Sequence, residues 1–229
     1  MKIKICGLTK SEEAGFLNRN QVNYAGMVLF YNKSKRNINI EQAKVIMNEL
    51  DNSIKSVAVV VSPSVKQAIE IEKAGFDYIQ IHGTIPEELF AHIHIPVLKA
   101  FNITDMDKYE EYHNCNGIAG YVFDAQEPGS GKTFDWSMVK NLPRDEKLFI
   151  LAGGLNAENV CEAVKYLKPD VVDVSSGVEN DNGNIKDERK IREFVKKVRS
   201  VQEYWELYIH ILVIKIRFKL TQNTNNAIL

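Results

Sequence analysis

Cysteine is scarce in this sequence: three residues in 229, Cys6, Cys115 and Cys161, with no Cys-x-x-Cys pair. An odd, widely spaced set argues against a disulfide framework or a thiolate zinc site and predicts reduced thiols in a cytoplasmic protein. Neither sign of charge is in excess. The 29 Lys and Arg face 30 Asp and Glu, for a formal net charge of −1. No basic field favours nucleic acid as a partner, and no acidic run reads as a tail. Apolar runs fall far short of the ~20 residues that a spanning helix needs. The N-terminus leads into a charged strand, without the apolar core of a signal peptide, so no membrane partner is expected. Glycine-rich dinucleotide turns and clusters of metal ligands are missing too, and neither a cofactor nor a metal is expected.

What the sequence does contain is repetition. Eight short β-rich runs recur at 2–6, 24–30, 56–61, 77–81, 96–101, 117–123, 148–152 and 171–175. Helix-like stretches separate most of them, among them 40–50, 65–75, 157–167 and 186–198. Ser62-Pro63 and Asn156 read as helix starts. Near-continuous apolar strands alternating with helices imply a parallel sheet buried on both faces. Eight such units in about 200 residues predict a single-domain α/β fold, a closed (β/α)8 TIM barrel over 1–201. An open doubly wound sheet is the alternative, but it would be expected to carry a glycine-rich turn after an early strand.

A barrel of this kind carries its active site at the C-terminal ends of its strands, so the strand ends are the residues to read. Cys6 ends the first strand. A cysteine is otherwise a small buried apolar side chain, and acting as a base would require a lowered pKa. The loop 31–38 follows the second strand and offers Arg36 for a two-pronged carboxylate contact; Lys33 and Lys35 read as solvated. His82 ends the fourth strand, where a structural role and a substrate contact are both open. Asp124 ends the sixth strand, and a carboxylate there is costly to bury unless used or paired. Gly131-Lys132 lacks the nucleotide-cradle spacing, because Gln126 stands where a glycine would be needed. Gly153-Gly154 and Ser175-Ser176-Gly177 follow strands seven and eight, the pair of loops that most often holds phosphate in barrels. The residues alone thus describe a barrel binding a phosphorylated small molecule, with a thiol and a carboxylate across its mouth and an arginine between.

KICGLT (4–9), SKRNI (34–38), DYIQIHG (77–83), FDAQEPGSGKTFDW (123–136), LAGGLNAENV (151–160) and VDVSSGVE (172–179) occur in this order. Together they resemble the phosphoribosylanthranilate isomerase family over residues 1–200. The resemblance implies the Amadori rearrangement of N-(5-phosphoribosyl)anthranilate in tryptophan biosynthesis, without a cofactor. It implies Cys6 as general base and Asp124 as general acid. It also implies Arg36 at the anthranilate carboxylate and the backbones of Gly154, Ser176 and Gly177 at the phosphate. That chemistry needs an acid with a raised pKa and a thiol with a lowered one. Two other readings stay open. A histidine-pathway aminoaldose isomerase resembles this fold and reaction but uses aspartate where this chain has Cys6. A non-catalytic phosphosugar barrel would need neither Cys6 nor Asp124. The expected assembly is a monomer or a homodimer. Residues 202–229 form an atypical C-terminal extension, with apolar and basic residues alternating over 214–220.

Overall fold

The protein is represented by a computed structural model that describes residues 1–125, 131, 133–183, 185–201 and 203. Among the described residues nine parallel strands form: β1 (Lys2–Cys6), β2 (Tyr24–Leu29), β3 (Asn37–Ile38), β4 (Lys55–Val61), β5 (Tyr78–His82), β6 (Val97–Asn102), β7 (Ile118–Asp124), β8 (Leu148–Leu151) and β9 (Val171–Val174). Eight coincide with the eight expected runs to within a residue or so at each end. They close into a barrel because β1 pairs with both β2 and β9. That closure rules out the open sheet. The ninth, β3, has two residues and pairs only with Val28 and Leu29 of β2.

Helices cross over between successive barrel strands: α1 (Glu12–Asn20), α2 (Ile40–Asn48), α3 (Val65–Lys73), α4 (Leu89–His92), α5 (Tyr109–His113), α6 (Ser137–Lys140) and α7 (Val160–Leu167). Residues 188–201 are helical and follow β9. The cap of α3 is Ser64, not Ser62-Pro63: Ser64 and Gln67 form a reciprocal capping box. Asn156 acts a turn earlier than the first residue of α7. Its side chain accepts from the Glu158 and Asn159 amides, and its carbonyl from Val160. Among the described residues, no helix is long and apolar enough to cross a membrane.

Strand alternation sorts the core into two layers. Tyr24, Val57, Val59, Leu98, Ala100, Val122, Ile150 and Val171 fill the barrel, while their neighbours in sequence, such as Ala25, Ala58, Val60 and Val172, belong to the outer layer with the helices. Both faces of each strand are buried, which explains the absence of polar alternation. Ile191, Phe194, Val195, Val198 and Val201 give the final helix one buried face at helical spacing. The extension assigned to 202–229 lies outside the described residues apart from Glu203, as do Gln126 to Ser130 and Lys132 of the loop after β7.

Candidate active site

The C-terminal ends of the strands surround a cavity of about 550 Å³. Cys6, Arg36, His82, Asp124, Gly154 and Ser176 all line it. Gly177 does not. It packs behind the wall, where an added Cβ would lie 2.1 Å from the Leu155 carbonyl oxygen. Its missing side chain therefore serves the approach of two loops, and Ser175 and Ser176 are what the β9 loop presents to the cavity. Opposite them, Gly153 and Gly154 both adopt positive φ, 82° and 62°. At Gly153 a Cβ would also meet the Ala125 amide at 2.7 Å, so this loop can turn only where glycine stands.

Cys6 sits beside Gly26 of β2, its register partner. Its own side chain shares the inner face of β1 with Lys4, two residues earlier. Lys4 is fully buried and donates to Asp173 Oδ2 of β9 at 2.7 Å. Asp173 lines the cavity, and its Oδ1 is buried without a hydrogen-bond partner among the described residues. Burial pushes the Cys6 thiol above its ordinary pKa; Lys4 and Lys186 oppose that rise, and Asp173 adds to it. This corrects the expected direction. A strand-end thiol in a barrel mouth is desolvated first, and the cations nearby offset only part of the penalty.

Asp124 behaves as expected. Burial, helped by the negative charge of Asp173, raises its pKa to about 6, against the Ala125 amide and Lys4. Its Oδ1 accepts from that amide at 2.8 Å. His82 moves the other way: burial and the charges of Lys99 and Lys4 lower it to about 4, so the ring is neutral near pH 7. Gln80 Nε2 lies 3.0 Å from His82 Nε2. Buried amide oxygens of Gln80 and Asn102 have no hydrogen-bond partner among the described residues and belong to the same cavity wall.

Arg36 is positioned by β3 and by Glu179. The short β3 lies along the same edge of β2 as β1 does, beyond the end of β1. The guanidinium stem therefore crosses Gly7 (φ 81°), where a Cβ would stand 2.4 Å from Arg36 Cδ. Arg36 Nε donates to Glu179 Oε1 at 2.5 Å, while its buried Nη2 has no hydrogen-bond partner among the described residues. Glu179 also accepts from Lys186 and Lys35, each at 3.1 Å. Burial alone would raise the Glu179 pKa, but Arg36 and Lys186 hold it down to about 2. Lys35 is thus an ion-pair partner, not merely solvated, and both Lys33 and Lys35 border the cavity. Lys4 escaped the sequence reading because a lysine in an alternating strand looks like a surface residue, and Glu179 and Lys186 because they follow β9 in segments with no periodic pattern. Only the charged-in-an-apolar-strand signal that flagged Asp124 could have flagged Asp173.

Comparison with known proteins gives one consistent result. A family model described as N-(5'phosphoribosyl)anthranilate (PRA) isomerase matches residues 3–197. The N-(5'-phosphoribosyl)anthranilate isomerase of Clostridium kluyveri is 40% identical over 204 residues, which cover 88% of this chain and 100% of that relative. The crystal structure of phosphoribosyl anthranilate isomerase from Thermotoga maritima, an enzyme described as dimeric, matches with a TM-score of 0.77 at 34% identity. The match covers 87% of this chain and 99% of that one. A structure of the isomerase in complex with reduced 1-(o-carboxyphenylamino)-1-deoxyribulose 5-phosphate matches with a TM-score of 0.74 at 33% identity, over 87% and 99% of the two chains.

Proposed function

The chain belongs to the N-(5'-phosphoribosyl)anthranilate isomerase family, enzymes of tryptophan biosynthesis, and from that premise we propose that Cys6 is its general base and Asp124 its general acid. Neutral Asp124 gives its proton to the ribose ring oxygen. The C1–O bond breaks, and the nitrogen lone pair forms the C1=N iminium. Cys6 as thiolate takes the proton from C2. The C2–H electron pair becomes the C1=C2 bond and the iminium π pair returns to nitrogen, so the substrate supplies its own electron sink. The enolamine then tautomerises to the ketone.

The observation that carries this reading is a single cavity joining a thiol, an acid with its pKa raised to about 6, and an arginine whose buried Nη2 has no hydrogen-bond partner among the described residues. Near neutral pH an ordinary aspartate is almost wholly ionised, whereas one with this pKa keeps a usable protonated fraction. The raised thiol pKa is compatible with the base role because the iminium brings a positive charge beside Cys6 once the ring opens. Arg36 Nη2 holds the anthranilate carboxylate, with Nε already committed to Glu179. The loops of Gly154 and Ser176 hold the phosphate, Gly177 allowing their close approach. Neutral His82 faces the substrate between these two ends.

All these residues come from one chain, so each protomer of a homodimer would carry its own set. The dimeric Thermotoga maritima relative makes the homodimer the form to look for by sedimentation. Three free thiols suit a reducing cytoplasm. Residues 1–201 are the catalytic barrel. The test is turnover of N-(5-phosphoribosyl)anthranilate by the full chain, followed as loss of its fluorescence. Conversion to 1-(2-carboxyphenylamino)-1-deoxyribulose 5-phosphate is expected, and an inert chain that binds the product would leave only the phosphosugar-binding barrel.

A further inference from the structure

A lysine with no exposure lies directly beneath the reactive thiol, and the reaction as derived does not use it. Lys4 occupies the barrel interior one inward-facing position below Cys6, opposite Asp173 in the β1–β9 register. Its Nζ and the Cys6 Sγ converge over Gly26. A Cβ built there would stand 2.9 Å from Sγ and 3.1 Å from Nζ. Glycine at 26 thus leaves open the space that borders both the ammonium and the sulfur. A buried ion pair generally adds little stability over an apolar pair of the same volume. The burial of Lys4 therefore calls for an electrostatic purpose at the mouth.

We propose that Lys4 is the cation that stabilises the Cys6 thiolate, and that Asp173 positions it by fixing Nζ beneath the sulfur. The proposal rests on Cys6 being the base. The other charges around the thiol do not replace Lys4. Lys186 is shared between Glu179 and the Ser175 carbonyl. Arg36 is turned toward Glu179. Asp173 is acidic and opposes the thiolate, and β2 places Gly26 opposite Cys6. The same pair also separates the two titrating groups: its positive end lowers the thiol's pKa and its negative end raises that of Asp124.

The experiment reads Cys6 directly, by its rate of alkylation with iodoacetamide against pH, in full-length protein carrying Cys115→Ser and Cys161→Ser. Lys4→Met should slow alkylation at pH 7.5 by about tenfold or more and move its midpoint up by about one pH unit or more. Lys4→Met/Asp173→Asn removes both charges and leaves no buried ion unpaired. It should show a smaller fall in the same direction, because the charge of Lys4 acts on the thiol more strongly than that of Asp173. If Lys4→Met does not fold, the double variant decides the matter. An alkylation profile that matches the parent in either folded variant overturns the proposal. Failure of the base assignment itself looks different: Cys6→Ser would then turn over normally, whatever the alkylation profiles show.

Discussion

Replacing Asp124 by asparagine should make the protein more stable and inactive at the same time, and the stability gain should depend on pH. Burial raises the carboxyl from its ordinary 3.8 to about 6. Between those values the unfolded chain has released this proton and the folded chain still holds it. Stability therefore falls as pH rises from about 4 to about 6, and the full penalty persists above that. At about 1.4 kcal/mol per tenfold change the penalty is at most about 3 kcal/mol. Because the cavity admits water, about 1–3 kcal/mol is the range to expect. Asparagine keeps an Oδ1 that can accept from the Ala125 amide, the bond that holds Asp124 at 2.8 Å, and it never ionises. For a chain of this size the variant should melt roughly 3–10 °C above the parent at pH 7.5. Near pH 4 the two should nearly coincide. Paired melting curves at the two pH values test this, and since all other carboxylates are common to both proteins, their titration cancels in the difference. A difference in Tm that is the same at both pH values, or a variant less stable at pH 7.5, would refute the account of Asp124 as a desolvated, functional acid.

Cys6→Ser should lower kcat by orders of magnitude while product affinity holds, because a hydroxyl does not ionise near pH 7; steady-state kinetics and product titration separate the two. Arg36→Met should raise KM about 10–100-fold through loss of a charge-assisted contact. Glu179→Gln should raise KM by a smaller factor with kcat unchanged, and an unaltered KM would show that Glu179 does not orient the guanidinium. Truncation after Val201 should leave kcat/KM within a few-fold, because it keeps the eight barrel strands and the buried residues of the last helix from Ile191 to Val201. A loss of activity or a lower Tm in the shortened chain would assign the extension a place on the barrel wall.

The sequence by itself determined the order and number of the barrel strands, because a strand buried on both faces must be apolar for its whole length and the turns between must not be. It also determined which residues stand at strand ends. Cys6, Arg36, Asp124, His82, Gly154 and Ser176 fall on one cavity because a closed parallel barrel brings all those ends to one rim. The tertiary structure decided what surrounds them. Lys4 and Asp173 are 169 residues apart, and Arg36 and Glu179 are 143 apart. Nothing local in Lys-Ile-Lys-Ile-Cys distinguishes a buried lysine from a solvated one. The two-residue β3, which carries the chain from Arg36 along the edge of β2, is too short to show a period. The direction of the Cys6 shift was likewise beyond the sequence. A pKa is the balance of desolvation against charges a few ångströms away, and closure of the barrel fixes both at once.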